Sequence, residues 1–371
     1  MTGARALIVG GSGLAGGYIA SALLENAEAF VVLGARDEGR LKDAAAKLEP
    51  KHGTDRVSTV LVDAADPDSL KRAAAGADLV VLAAQAKQHG AAIARAALDA
   101  GADVIDITLS SGGHHPMEAL RQTAEESGRC LVTDAGAFPG LPAFLVRLAG
   151  GRLDRLDTAF VGATTSNGAG WPEDTVAEIV EEIAHPPVFV WRDGAWRSSR
   201  FVGMADRRKF EFGSEWGRRT CAPLFLEEMR DLPKLFPSLQ QAGTFHASNA
   251  FVDSVALPLA MIAMRVAPQR GHRPASQLVG WGMRRFARPP FGIALKVDAT
   301  GERNGLPAEI SMIVTHPNEY DATGLAVAAF VAQWCDGPGI PARTPGLHPM
   351  GMTVEPERFM RDLTARGFTL N

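Results

Sequence analysis

The chain has 371 residues, 46% of them hydrophobic and 22% charged, and a net charge of −4. That leaves room for two domains with sizeable cores, is not the composition of a disordered chain, and gives no electrostatic reason to expect nucleic acid. Three widely spaced cysteines, Cys130, Cys221 and Cys335, with no C-x-x-C, point to neither a disulfide framework nor a metal site.

The first predicted element is a strand at residues 6–9, followed by the loop 10–16 and a helix over 14–25. The loop carries G-x-G-x-x-G as Gly11, Gly13 and Gly16. Strand, glycine turn and helix in this order form the seat of a dinucleotide pyrophosphate. Gly11 permits the tight turn, Gly13 removes a side chain where phosphates approach, and Gly16 lets helix and strand pack closely. Amides at the helix start face the negative charge, so Ser12, Leu14 and Ala15 join the glycines as cofactor-binding candidates.

A second strand, 30–33, runs into Gly34-Ala35-Arg36, with Arg36 twenty positions after Gly16. An NAD enzyme places an acid at this strand end to accept from the ribose 2′-hydroxyl. A guanidinium instead pairs with a 2′-phosphate and stacks on adenine, so Ala35 and Arg36 point to NADP over NAD. Asp37 follows at once, and a shift of one residue would make it the ribose ligand. A third strand, 57–62, ends in Asp63, which with Ala64 is a candidate to bracket the adenine, Asp63 reading equally as a loop cap; a helix follows at 66–75. A fourth strand, 78–82, runs into small residues near Ala84 and Gln85, suited to close approach of the nicotinamide ribose. A helix at about 90–100, a fifth strand at 104–107 and a sixth at 131–132 complete a doubly wound parallel sheet.

Past residue 135 the pattern changes. A helix opens after Phe138-Pro139-Gly140-Leu141-Pro142, and residues 186–197 read as a hairpin about Asp193-Gly194. A longer strand pair, 291–299 and 308–316, flanks a turn at 301–305. Helices follow at 320–334 and 356–366. The expected organisation is α/β: a Rossmann dinucleotide-binding domain over 1–135, then a mixed α+β substrate and dimerisation domain over 136–320.

The order of motifs resembles the saccharopine dehydrogenase-like family over most of the chain. The resemblance rests on the loop 10–16, Gly101-Ala102-Asp103-Val104-Ile105-Asp106, the stretch 134–142, the Arg192-Asp193-Gly194 turn, Gly346-Leu347-His348 and Pro356-Glu357-Arg358-Phe359. It implies that the α+β domain is inserted into the Rossmann domain, with a C-terminal segment, 321–371, returning to the first domain, and that the protein is a nicotinamide-dependent oxidoreductase that forms or cleaves a secondary amine from an amine and an oxo compound. Saccharopine-forming members carry an acid where this chain has Phe138, which points to a different, less polar substrate.

Such chemistry needs a group that moves protons near the working pH. Asp106 and Asp134 at strand ends, and His114 and His115 in the loop after the fifth strand, are the catalytic candidates. Each has an ordinary alternative, a helix cap for the aspartates and a solvated loop for the histidines. His246 reads first as a core histidine. The sequence excludes several other chemistries: no Tyr-x-x-x-Lys, no phosphate loop, no H-E-x-x-H and no G-x-S-x-G. The resulting expectation is an NADP-dependent oxidoreductase acting on a C–N bond of a small-molecule substrate. It is expected to be cytoplasmic and homodimeric, with no membrane partner. A C=C or C=O reductase and a non-catalytic NADP sensor are the alternatives.

Overall fold

The computed structural model describes residues 3–27, 29–83, 89–108, 115–184, 188–199 and 206–371. These fall into two compact units. Unit one holds the described residues up to 144 together with 320–367, and unit two holds 145–319 and 368–371.

Unit one is built on a seven-stranded sheet. Its strands are β1 (Arg5–Val9), β2 (Phe30–Ala35), β3 (Val57–Leu61), β4 (Leu79–Leu82), β5 (Asp103–Asp106) and β6 (Cys130–Thr133), with Gly346–Pro349 as a late addition. The spatial order runs β3-β2-β1-β4-β5-β6 and then Gly346–Pro349, every pair parallel. Strands β4, β5 and β6 are buried along their whole length. That explains their short, unbroken apolar runs: both faces of a parallel sheet are covered by helices. The expected six strands are all present, within a residue or two at their ends.

The chain returns to this sheet after residue 320, and Asp103 shows how. One carboxylate oxygen accepts from the Cys130 amide at 2.8 Å. The other accepts from Trp334 Nε1 at 2.8 Å and from Arg343 Nε at 3.1 Å, with the guanidinium also lying over the Trp334 ring. A buried carboxylate is tolerated because its acceptor sites are filled. Farther on, Phe359 of the helix Pro356–Ala365 meets Phe144 edge-on at 4.9 Å.

Unit two is a mixed sheet. Its strands are β7 (Arg155–Ser166), β8 (Phe189–Arg192), β9 (Ala195–Ser198), β10 (Arg208–Glu211), β11 (Arg218–Pro223), β12 (Gln241–Ala247), β13 (Gly292–Arg303) and β14 (Leu306–His316). The order is β10-β11-β12-β7-β13-β14, closed by Thr369–Leu370 of the C-terminus, with the β8–β9 hairpin on β12. The hairpin forms around Asp193-Gly194 as expected, both residues having positive φ. The long pair differs from expectation. Strand β13 reaches Arg303 and β14 begins at Leu306, because a two-residue turn, Asn304 (φ 54°) and Gly305 (φ 75°), reverses the chain.

Candidate functional site

At the start of unit one the backbone leaves no space for a side chain at Gly16, where a Cβ would collide with the Gly10 carbonyl. A Cβ on Gly11 would sit 3.0 Å from the Ile8 carbonyl oxygen. The Gly10 amide donates to the Gly34 carbonyl at 2.8 Å, fixing the loop on the end of β2. The helix Leu14–Asn26 starts at Gly13, which has no side chain to cap it. Its first amides have no partner within the helix and are open to an anion. This cradle fits a dinucleotide pyrophosphate.

The next four residues differ in their surroundings. Asp37 is the cap of the helix Glu38–His52, its Oδ1 accepting from the Arg40 amide at 2.9 Å. Arg36, just before it, is exposed at the end of β2. Asp63 accepts from the Ala65 amide at 3.0 Å, so the loop-cap alternative describes its carboxylate. Ala64 is half-buried against the core of the unit. Ala84, Gln85 and His114 lie outside the described residues.

At the carboxyl end of β5 a titratable cluster is assembled. Asp106 is 2% exposed, and its Oδ1 accepts from the Thr108 amide at 2.9 Å and from the Thr108 hydroxyl at 2.7 Å. Its Oδ2 faces His115 Nε2 at 3.7 Å. His115 is also buried, so it is not the solvated loop residue its sequence context allowed. Its Nδ1 accepts from the Met117 amide at 3.1 Å, capping the turn Pro116–Leu120. With Nδ1 an acceptor, the neutral ring carries its proton on Nε2, the ring atom facing the carboxylate from beyond hydrogen-bond distance. Burial pushes the Asp106 carboxyl up to about 6, against the pull of the Thr108 bonds, and pushes His115 down to about 4.

Asp134 ends β6 beside this pair. It is fully buried and held at a positive φ of 51°, and the next amide, Ala135, donates to the Asp106 carbonyl at 3.0 Å. The turn after it is tight, for a Cβ on Gly140 would meet the carbonyls of Gly136 and Asp134.

Sequence reasoning missed a cavity within unit two. It has a volume of about 290 Å³ and lies at the end of β7. Thr164, Thr165, Asn167, Arg219 and Ser248 are among its polar walls, and Trp171, Phe251 and Phe286 among its aromatic ones. Arg219 Nε donates to the Trp216 carbonyl at 3.1 Å, which fixes the guanidinium plane. Asn167 Nδ2 donates to Glu319 Oε1 at 2.9 Å, and burial raises that carboxyl to about 7 despite its bonds from Asn167 and Trp171. His246 stands behind Thr165, its Nε2 3.3 Å from the hydroxyl, with burial pushing it down to about 4. No motif marks these residues; pairing of distant strands collects them.

Comparison with known proteins decides what the first unit is. Residues 6–132 match the family model of the saccharopine dehydrogenase NADP binding domain. It is an NADP-binding domain. The whole chain also shares a fold with saccharopine dehydrogenase (L-Glu forming) from Saccharomyces cerevisiae in its apo, histidine-tagged form. The TM-score is 0.65 at 15% identity, covering 100% of this chain and 99% of that one. A short-chain dehydrogenase/reductase from Veillonella parvula DSM 2008 in complex with NADP gives a TM-score of 0.25 at 21% identity, over 29% of this chain and 48% of that one, and nothing further rests on it. Curated protein sequences gave no match. An NADP-binding domain within a saccharopine dehydrogenase-like fold is the framework of an oxidoreductase. Among the described residues no group of side chains is arranged to hold a metal, and no helix is long and apolar enough to cross a membrane.

Proposed function

We propose that the protein is an NADP-dependent oxidoreductase acting on a C–N bond, joining an amine to an oxo acid by reduction or running the reverse. The observation that carries this reading is the Asp106–Thr108–His115 cluster at the end of β5. A buried carboxyl raised to about 6 beside a neutral imidazole is a proton store poised near physiological pH.

When bound, the nicotinamide supplies or accepts the hydride. The chain's own residues do the rest. The loop 10–16 and the start of the helix Leu14–Asn26 would hold the pyrophosphate, and Arg36 would pair with the 2′-phosphate while Asp37 is occupied as a cap. Condensing an amine with a carbonyl expels water, and that hydroxyl leaves only if a proton reaches it. The proton comes from Asp106 through the half-buried Thr108 hydroxyl, which turns from donating to Asp106 Oδ1 to accepting from the protonated carboxyl as it passes its own proton to the leaving oxygen. His115 Nε2–H steadies the carboxylate left behind. The polar and aromatic walls of the unit-two cavity suit a substrate with both a charged end and an apolar portion.

NADPH oxidation measured with amines alone, 2-oxo acids alone, enones, and amine plus oxo acid mixtures tests the reading. Turnover that requires both amine and oxo acid is the expected result. Turnover of an enone or a carbonyl compound without an amine makes the enzyme a C=C or C=O reductase. NADPH binding with no turnover of any of them makes it a sensor.

A further inference from the structure

Between residues 254 and 297 the chain has no aspartate or glutamate, yet it carries Arg265, Arg270, Arg273, Arg284, Arg285 and Arg288. All six guanidinium side chains belong to exposed residues. Two helices of unit two, Leu257–Val266 and Pro268–Arg285, form most of it.

The first helix is apolar on two sides. Ala260 and Met264 are buried in a small core with Val176, Val180, Ala275 and Val279. On the other side Val255, Leu259, Ile262 and Val266 are 40%, 50%, 60% and 79% exposed. Leu259, Ile262 and Val266, spaced i, i+3 and i+7, make one helical stripe, which Val255 of the preceding π-helical turn Val252–Ala256 extends. On the second helix Trp281 is 47% exposed, braced edge-on by Phe251 at 5.3 Å and Phe286 at 5.5 Å. Arg270, Arg273, Arg284 and Arg285 share its helical face by period. The acid-rich helix Glu173–Ala184 enters the small core through Val176 and Val180, on the side of Leu257–Val266 away from the stripe.

We propose that this basic, apolar face lays unit two on an anionic membrane surface. Exposed large apolar side chains flanked by arginines, with an indole among them, form the chemistry of an interfacial helix. Anionic headgroups supply the counter-charge that the stretch itself lacks. A second copy is the poorer occupant: a two-fold pairing stripe on stripe sets the flanking arginines of one chain against those of the other. The stripe spans about 18 Å at 1.5 Å per residue, well short of a hydrocarbon core of about 30 Å, so it lies on the bilayer and does not span it. That no helix among the described residues is long and apolar enough to cross a membrane does not bear on this kind of contact, which departs from the expectation of no membrane partner.

Flotation of the full chain with phosphatidylcholine vesicles, with and without about one third phosphatidylglycerol, is the test. The protein should float with the anionic vesicles only, and raising salt from about 0.1 M to about 0.5 M should release at least about tenfold of it. The variant Leu259→Ser/Ile262→Ser/Val266→Ser should no longer float. Arg265→Gln/Arg270→Gln/Arg273→Gln should bind roughly 100-fold more weakly, about fivefold per guanidinium. Circular dichroism melts check that both variants fold; if either does not, the wild-type lipid and salt dependence decides alone. Failure of the wild type to float, or equal flotation with neutral vesicles, overturns the proposal. So does a wild-type dimer by sedimentation that the serine variant splits, for the stripe is then a subunit interface.

Discussion

The two sheets of this protein solve the same burial problem in opposite ways. In unit one, parallel strands run only four to six residues, β4, β5 and β6 are buried along their whole length, and the candidate site residues lie at strand ends. In unit two, strands of eleven and twelve residues pair mainly antiparallel, and the cavity forms where β7 ends. A short parallel strand followed by a glycine loop is a local signal. A central strand such as β7, parallel to β12 on one side and antiparallel to β13 on the other, is specified by partners some 80 and 140 positions away.

The largest expected effect breaks unit one at its most local feature. Gly16→Val drives a branched side chain into the Gly10 carbonyl. NADPH affinity should fall at least about 100-fold by fluorescence titration, because the loop must shift by more than a bound pyrophosphate tolerates. A smaller loss would mean that the helix slides without disturbing the cradle. Next comes Arg36→Ala, which should cost about 30-fold for NADPH and leave NADH unchanged. Loss of both cofactors alike would deny Arg36 its part in choosing the 2′-phosphate.

A third change sharpens the contrast by acting in unit two alone. Arg219→Met keeps much of the side chain's bulk and removes the guanidinium from the cavity wall. KM for the oxo or amine substrate should rise about tenfold while the NADPH dissociation constant holds. An unchanged KM removes Arg219 from substrate recognition.

The same contrast governs how much the sequence discloses. The strands of unit one, its glycine loop and the Asp193-Gly194 hairpin were legible because each depends on residues within a few positions. The strands β7, β10, β11 and β12 were not. In β7, Gly162 lies beneath the Phe210 ring, so a position that reads as a strand breaker is required by a residue of β10. The pairs at the sites behave alike. Asp106 and His115 were both legible as candidates, but not their contact, since the loop residue turns inward to cap Pro116–Leu120. Thr108 was passed over because a hydroxyl carries no titration signal of its own. Arg219 and Trp171 belong to no motif, and only the fold of the second unit brings them to one cavity.

The smallest effect separates the two members of the Asp106–His115 pair. Burial raises Asp106 above its ordinary carboxylate value to about 6, so folding favours its protonated form. Its contribution therefore grows as pH falls through 6 toward the unfolded value near 4. Burial lowers His115 to about 4, so folding favours its neutral form, and its contribution is lost as pH falls from about 6.5 toward 4. The two slopes oppose each other over the same window and largely cancel in the native protein. Asp106→Asn keeps the shape, removes the compensating slope and leaves that of His115. Its melting temperature should match or exceed that of the native protein at pH 7, where no buried carboxylate need ionise. At pH 4.5 it should drop by on the order of 3 °C more than the native protein does between the same two values. Parallel melting curves across that range would mean that His115 takes up its proton without penalty, as it would if it faced water and not the carboxyl group.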